Sequence, residues 1–166
     1  MTKHTAVACL IFTSFAMTSI PAAAQDLSSQ LVGVWKTVSF SRKDVETGKS
    51  SQAMGERPTG VAHYTKDGHF VIFVTSEGRT NNAGLQTDED RVALFKSMFS
   101  WAGKYKVEGG KIAHTVDVAW IQSWVGTTRT YGAEVADKKL TLTTPVFKNT
   151  VDGRDSVVVT VYERAE

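Results

Sequence analysis

Beyond residue 32 the apolar and polar positions of this chain vary with a dominant period of two, the spacing of a strand with one buried face, and not with the 3.6 of a helix. Residues 33–40, 60–65 and 69–75 read as strands, and Lys66-Asp67-Gly68 is a tight hairpin connection between the second and the third. Residues 102–108 and 111–119 pair across Gly109-Gly110, 127–135 and 140–144 pair across residues 136–139, and 155–163 follows the loop at 149–154. The spacing predicts about eight strands, most joined to the next by a short turn. Strands do not alternate with helices, so nothing calls for a parallel sheet.

One segment departs from this period. Thr87 is a helix cap, Asp88, Glu89 and Asp90 suit the positive end of the helix dipole, and Asp90 completes a weak capping box. Val92, Phe95, Phe99 and Ala102 then share one helical face, with Met98 beside them, which predicts a helix of about 13 residues against an opening or flank of the strand assembly. It is either a packing helix or a lid. An antiparallel meander of about eight strands exposes two edges unless it closes, so the expected fold is all-β, an antiparallel up-and-down barrel with one inserted α-helix. The interior of such a barrel either fills with side chains or holds one small ligand.

An ordered set of short stretches carries a family resemblance. Leu31-Val32-Gly33-Val34-Trp35 resembles the Gly-x-Trp opening of lipocalins. Tyr64-Thr65-Lys66-Asp67-Gly68-His69, Tyr105-Lys106-Val107, Trp124-Val125-Gly126-Thr127 and Leu140-Thr141-Leu142-Thr143-Thr144-Pro145 are similar to the bacterial and fungal lipocalin-like domain family, a distant relative of true lipocalins. The resemblance runs from Leu31 to Arg164 and implies a lipocalin-like barrel, a scaffold used both for binding small apolar molecules and for cyclases or isomerases. It also implies that Arg164, in Tyr162-Glu163-Arg164, packs over Trp35 as a structural pair.

Composition narrows the class. With 166 residues, 19 Lys plus Arg against 17 Asp plus Glu, three Pro and 13 Gly, the chain has one core and lacks the dense basic footprint of a nucleic-acid binder. Residues 1–24 read as a cleavable signal peptide: Lys3 and His4 form a positive start, residues 6–20 are uncharged and apolar, and Pro21-Ala22-Ala23-Ala24 supplies a small-residue cleavage site. The apolar stretch is diluted by Thr13, Ser14, Thr18 and Ser19, so no membrane span is expected. Cleavage after Ala24 leaves a barrel domain at 25–166 in the periplasm or secreted. It also removes the only cysteine, Cys9, and with it any thiolate catalysis or disulfide.

Strand faces locate the candidate chemistry. On residues 111–119 the positions Ile112, His114, Val116 and Val118 share the inward face, and on the preceding strand Trp101, Gly103, Tyr105 and Val107 do so. Tyr105 and His114 thus come from adjacent strands into one interior, where each needs a hydrogen-bond partner and the two could serve each other, as core residues or ligand contacts. In an enzyme they would be the proton donor and acceptor of a cofactor-independent isomerase, cyclase or lyase. Trp120 and Trp124, with Ile121 and Val125, suit a barrel rim. Arg129, sharing a face with Tyr131, is either a surface ion-pair partner or a holder of a ligand carboxylate or carbonyl at the mouth. Tyr64, Trp101, Tyr105, His114, Trp120, Trp124, Arg129 and Tyr131 are therefore the candidate ligand contacts, for a small apolar or aromatic molecule carrying one oxygen function. The chain has no Gly-x-Ser-x-Gly elbow, phosphate loop or dinucleotide fingerprint, and His63 and His69 lack helical zinc spacing, so neither cofactor nor metal is expected.

Overall fold

The computed structural model describes residues 22–79, 87–149 and 152–165. Residues 1–21, most of the segment 1–24 read as a signal peptide, lie outside them; the described chain opens with helix α1 (Ala22–Leu31), whose Leu27 and Leu31 enter the core. The strands follow as β1 (Gly33–Asp44), β2 (Ser50–Gln52), β3 (Thr59–Tyr64) and β4 (His69–Thr75). Helix α2 (Asp88–Lys96) precedes β5 (Met98–Glu108), β6 (Lys111–Ala119), β7 (Thr128–Ala136), β8 (Lys139–Thr143), β9 (Phe147–Lys148) and β10 (Asp155–Arg164).

Sequential antiparallel pairing runs β1-β3-β4-β5-β6-β7-β8-β10, and β10 returns to pair with β1 from Trp35↔Arg164 to Asp44↔Ser156. That last pairing closes an eight-stranded barrel and removes both edges. The two-residue β9 and three-residue β2 are additional short strands on β10 and β1 that the apolar pattern did not mark, because neither has a buried face.

Three local features differ from the sequence expectation. Helix α2 ends at Lys96, not beyond residue 99. Ser97 caps it by donating its backbone N–H to Ala93 O and Leu94 O, and Met98 and Phe99 then pair with Thr75 and Val74 of β4. Extended backbone sends both Phe99 and Trp101 into the core, which a helix at that spacing cannot do. Thr87 and Asp90 do form the capping box. None of the α2 side chains is buried, and its Phe95 ring rests on Trp120 at 4.7 Å, so the helix lies on the flank of the barrel.

The second feature is a β-bulge in β6. Gly103 faces Val116 but Ala102 faces Val118, so Asp117 is an extra residue. The bulge reverses the alternation and leaves Val118 60% exposed on the outer surface, whereas it was expected inside with Ile112, His114 and Val116. The third is the β7–β8 turn, a two-residue loop in place of the expected link at 136–139, where Asp137 (φ 49°) and Lys138 (φ 61°) both occupy the left-handed region, as such a loop demands. Gly109 and Gly110 meet the same demand between β5 and β6 without a Cβ penalty. Lys138→Gly is therefore expected to stabilise the protein by about 1 kcal/mol, read as a higher urea midpoint with unchanged slope.

The closed end of the barrel carries α1. Trp35, fully buried, donates its indole N–H to Leu31 O at 2.8 Å, and the Arg164 guanidinium lies 4.2 Å over the Trp35 ring. Arg164 also donates to Val32 O at 3.0 Å and to Gln30 O. The opposite end of the barrel is open.

Candidate functional site

At that open end a cavity of about 500 Å³ enters the barrel between β1, β5, β7, β8 and β10. Strand alternation supplies its walls: Phe40 from β1, Phe99 and Trp101 from β5, Arg129 and Tyr131 from β7, Leu142 from β8, and Val158 and Thr160 from β10. Trp124, at the end of a single helical turn (Gln122–Trp124), and residues 144–147 form the rim. The Trp101 and Trp124 rings meet edge to face at 5.6 Å. The Arg129 guanidinium carbon lies 4.0 Å over Trp124, and its Nε donates to Tyr131 Oη at 3.2 Å. The Trp101 indole N–H is buried without a hydrogen-bond partner among the described residues.

Beneath the cavity lies an aromatic cluster centred on His114, which is fully buried. Its imidazole stacks on Phe70 at 4.0 Å and 16°, and Tyr131 lies 5.0 Å away. His114 Nε2 and Tyr64 Oη share a hydrogen bond of 3.1 Å, while Nδ1 has no partner among the described residues. Burial, aided by the Arg129 charge, pushes the His114 pKa down to about 3. Burial likewise holds the Tyr64 phenol well above its ordinary value. His114 and Tyr64 are thus both neutral across the physiological range.

A pH dependence follows. Unfolded, His114 takes up a proton below its ordinary value of 6.5; folded, it stays neutral down to about 3, so acid favours the unfolded state between these limits. Stability is expected to fall by up to about 1.4 kcal/mol per pH unit as pH drops from 6.5 towards 4.5. Asp44, Asp67, Glu77 and Asp152, whose carboxyls are held below their ordinary values mainly by hydrogen bonds, add their losses only nearer pH 4. Urea unfolding at several pH values and an NMR titration of the imidazole nitrogens check this; an imidazole titrating near 6.5 would contradict it.

The structure brings four of the eight candidate contacts into the cavity: Trp101, Trp124, Arg129 and Tyr131. Tyr64, Tyr105 and His114 are absent from its lining. The hydrogen bond that Tyr105 and His114 could share does not form, although the two residues are register partners across β5 and β6. Tyr105 Oη instead donates to Thr65 O at 2.8 Å, and Tyr64, from β3, takes the place at His114. Adjacent register fixes which strands meet, but a tyrosine hydroxyl lies so far from its Cα that the whole barrel decides its partner. Trp120 lies with Val71, Phe73, Ala102 and Val118 in a groove on the other face of the sheet, because the bulge at Asp117 reverses the strand before it. Sequence reasoning missed Phe40, Phe99, Leu142, Val158, Thr160 and the rim at 144–147. Alternation along 155–163 was the available signal for Val158 and Thr160, and the helical periodicity read through Phe99 hid that residue.

Comparison with known proteins gives a family and a fold. The family model described as a lipocalin-like domain matches residues 32–165. No match was found among curated proteins. Among solved structures, a lipocalin-like protein from Bacteroides uniformis is similar at 14% identity and a TM-score of 0.44, covering 82% of this chain and 99% of that one. A redesigned β-barrel (15% identity, TM-score 0.40) covers 89% of this chain and 100% of that one. An uncharacterized protein from Bacteroides eggerthii (15%, 0.40) covers 81% and 99%.

Proposed function

We propose that this chain, which belongs to the lipocalin-like domain family, is an exported carrier of a small apolar or aromatic molecule held in the open end of its barrel. The observation that carries the reading is the cavity itself. Its volume of about 500 Å³ is of ligand size, and its walls are mostly aromatic and aliphatic, with Arg129 and Tyr131 as polar groups on β7. The packed, uncharged cluster below it is its floor. Export rests on the signal-like order of residues 1–24, with cleavage after Ala24; Leu27 and Leu31, the α1 residues in the core, would remain in the mature chain. No described helix is long and apolar enough to cross a membrane.

Titration with the neutral fluorescent probe N-phenyl-1-naphthylamine tests the carrier reading. Saturable 1:1 binding is expected, weakened at least about tenfold in Trp124→Ala, since a large aromatic anchor carries a disproportionate share of such contacts. No saturable binding, or binding indifferent to Trp124, would refute it. Intact-mass measurement of the exported protein tests processing: a chain beginning at Gln25 is expected, and retained Met1 or a lipid on Cys9 would overturn it.

A further inference from the structure

We infer that the ligand is a monoanion, a carboxylic acid with an apolar body, whose carboxylate is held by Arg129 at the cavity wall; this rests on the carrier reading above. Arg129 is the one charged residue among those that line the cavity. No ion pair to it forms among the described residues, where Arg42, Arg57, Arg91 and Arg154 each have a carboxylate within 4 Å. Only its Nε is engaged, on Tyr131 Oη; the two terminal nitrogens make no hydrogen bond among the described residues. Arg129 is half-buried at the cavity wall, and no carboxylate of the described residues lies within 4 Å of it to compete with a ligand anion.

The guanidinium is also held in place. Its carbon lies over the Trp124 ring and its Nε is bonded to Tyr131 Oη, which leaves the two terminal nitrogens as the pair that suits a carboxylate. The buried side-chain polar atom of the wall that has no partner among the described residues, the Trp101 indole nitrogen, is again a donor. The cavity therefore offers a positive charge and donors in place of carboxylate acceptors, which suits an anion and opposes a cation. The same charge reaches the cavity floor, where it is one of the causes that keep His114 unprotonated. Phe40, Phe99, Leu142 and Val158 are left for the apolar body. The volume holds on the order of 15 non-hydrogen atoms at roughly 30 Å³ each.

The test compares dodecanoate, 1-dodecanol and dodecylammonium, below their aggregation limits at pH 7.5, by calorimetry and quenching of tryptophan fluorescence. Dodecanoate is expected to bind at least tenfold more tightly than the alcohol and the ammonium most weakly. The acid's advantage should shrink between 20 and 500 mM NaCl, and Arg129→Gln should abolish it while Arg129→Lys restores part. Equal affinity for acid and alcohol would overturn the anion assignment while leaving the carrier reading standing. Failure of all three, together with the neutral naphthylamine, would overturn both. The salt series on the native protein decides the matter even if the Arg129 variants fold poorly.

Discussion

Gly103→Ala is expected to unfold the barrel or to destabilise it by at least about 3 kcal/mol. A Cβ at this position would stand 2.0 Å from Thr115 O and 2.9 Å from Asp117 N. Both atoms are backbone at the β6 bulge, so no side chain can swing away to make room. Relief would require separating β5 from β6 where the extra residue Asp117 is absorbed, and that would disturb the placement of Trp101 in the cavity wall. Gly132→Ala, also in a strand, is the control. Its Cβ would meet nothing closer than 3.8 Å, so the substitution should be neutral or stabilise by up to about 1 kcal/mol through reduced freedom of the unfolded chain. Urea midpoints of the two variants check the pair of expectations, and a mildly affected Gly103→Ala would show that the bulge can relax.

Arg164→Ala should cost about 2–4 kcal/mol, the second large effect, because one side chain makes two kinds of contact at the closed end. Its guanidinium covers the buried Trp35 ring and donates to the carbonyls of Gln30 and Val32, at the end of α1. Arg164→Lys should recover only a minor part, since an ammonium cannot cover an indole and reach two carbonyls with a planar fork. The measurements are the urea midpoint and hydrogen exchange of backbone amides at residues 27–35. Faster exchange confined to that segment would mean that Arg164 mainly pins α1, and an unchanged midpoint with unchanged exchange would remove it from any stabilising role.

Much of the barrel was legible because its information is local. A strand with one buried face must alternate, and a tight reversal needs residues that tolerate the turn, so six of the eight barrel strands lie within one residue of their predicted bounds and a seventh, β1, extends its prediction at one end. The eighth, β5, was recognised from residue 102 but begins at Met98, because Phe99 satisfies a helical and a strand spacing equally and only pairing with Val74 resolves the choice. The Thr87 cap was also readable, since a capping box needs only four consecutive residues.

The site was legible in part. Trp101, Trp124, Arg129 and Tyr131 were nameable because large aromatics and an isolated arginine at a strand end stand out against an apolar face. By itself the sequence determined the succession of the strands, most of the turns, the inward faces of β5, of β6 up to Val116 and of β7, and the candidate arginine. Tertiary structure alone decided that Tyr64 and not Tyr105 serves His114, that Asp117 turns Val118 and Trp120 outward, and that the cavity opens between β1, β7 and β10. The reason is physical. Alternation and turn chemistry act over a few residues, whereas a bulge, a hydroxyl's partner and the shape of an interior are set by strands far apart in sequence that meet only when the barrel closes.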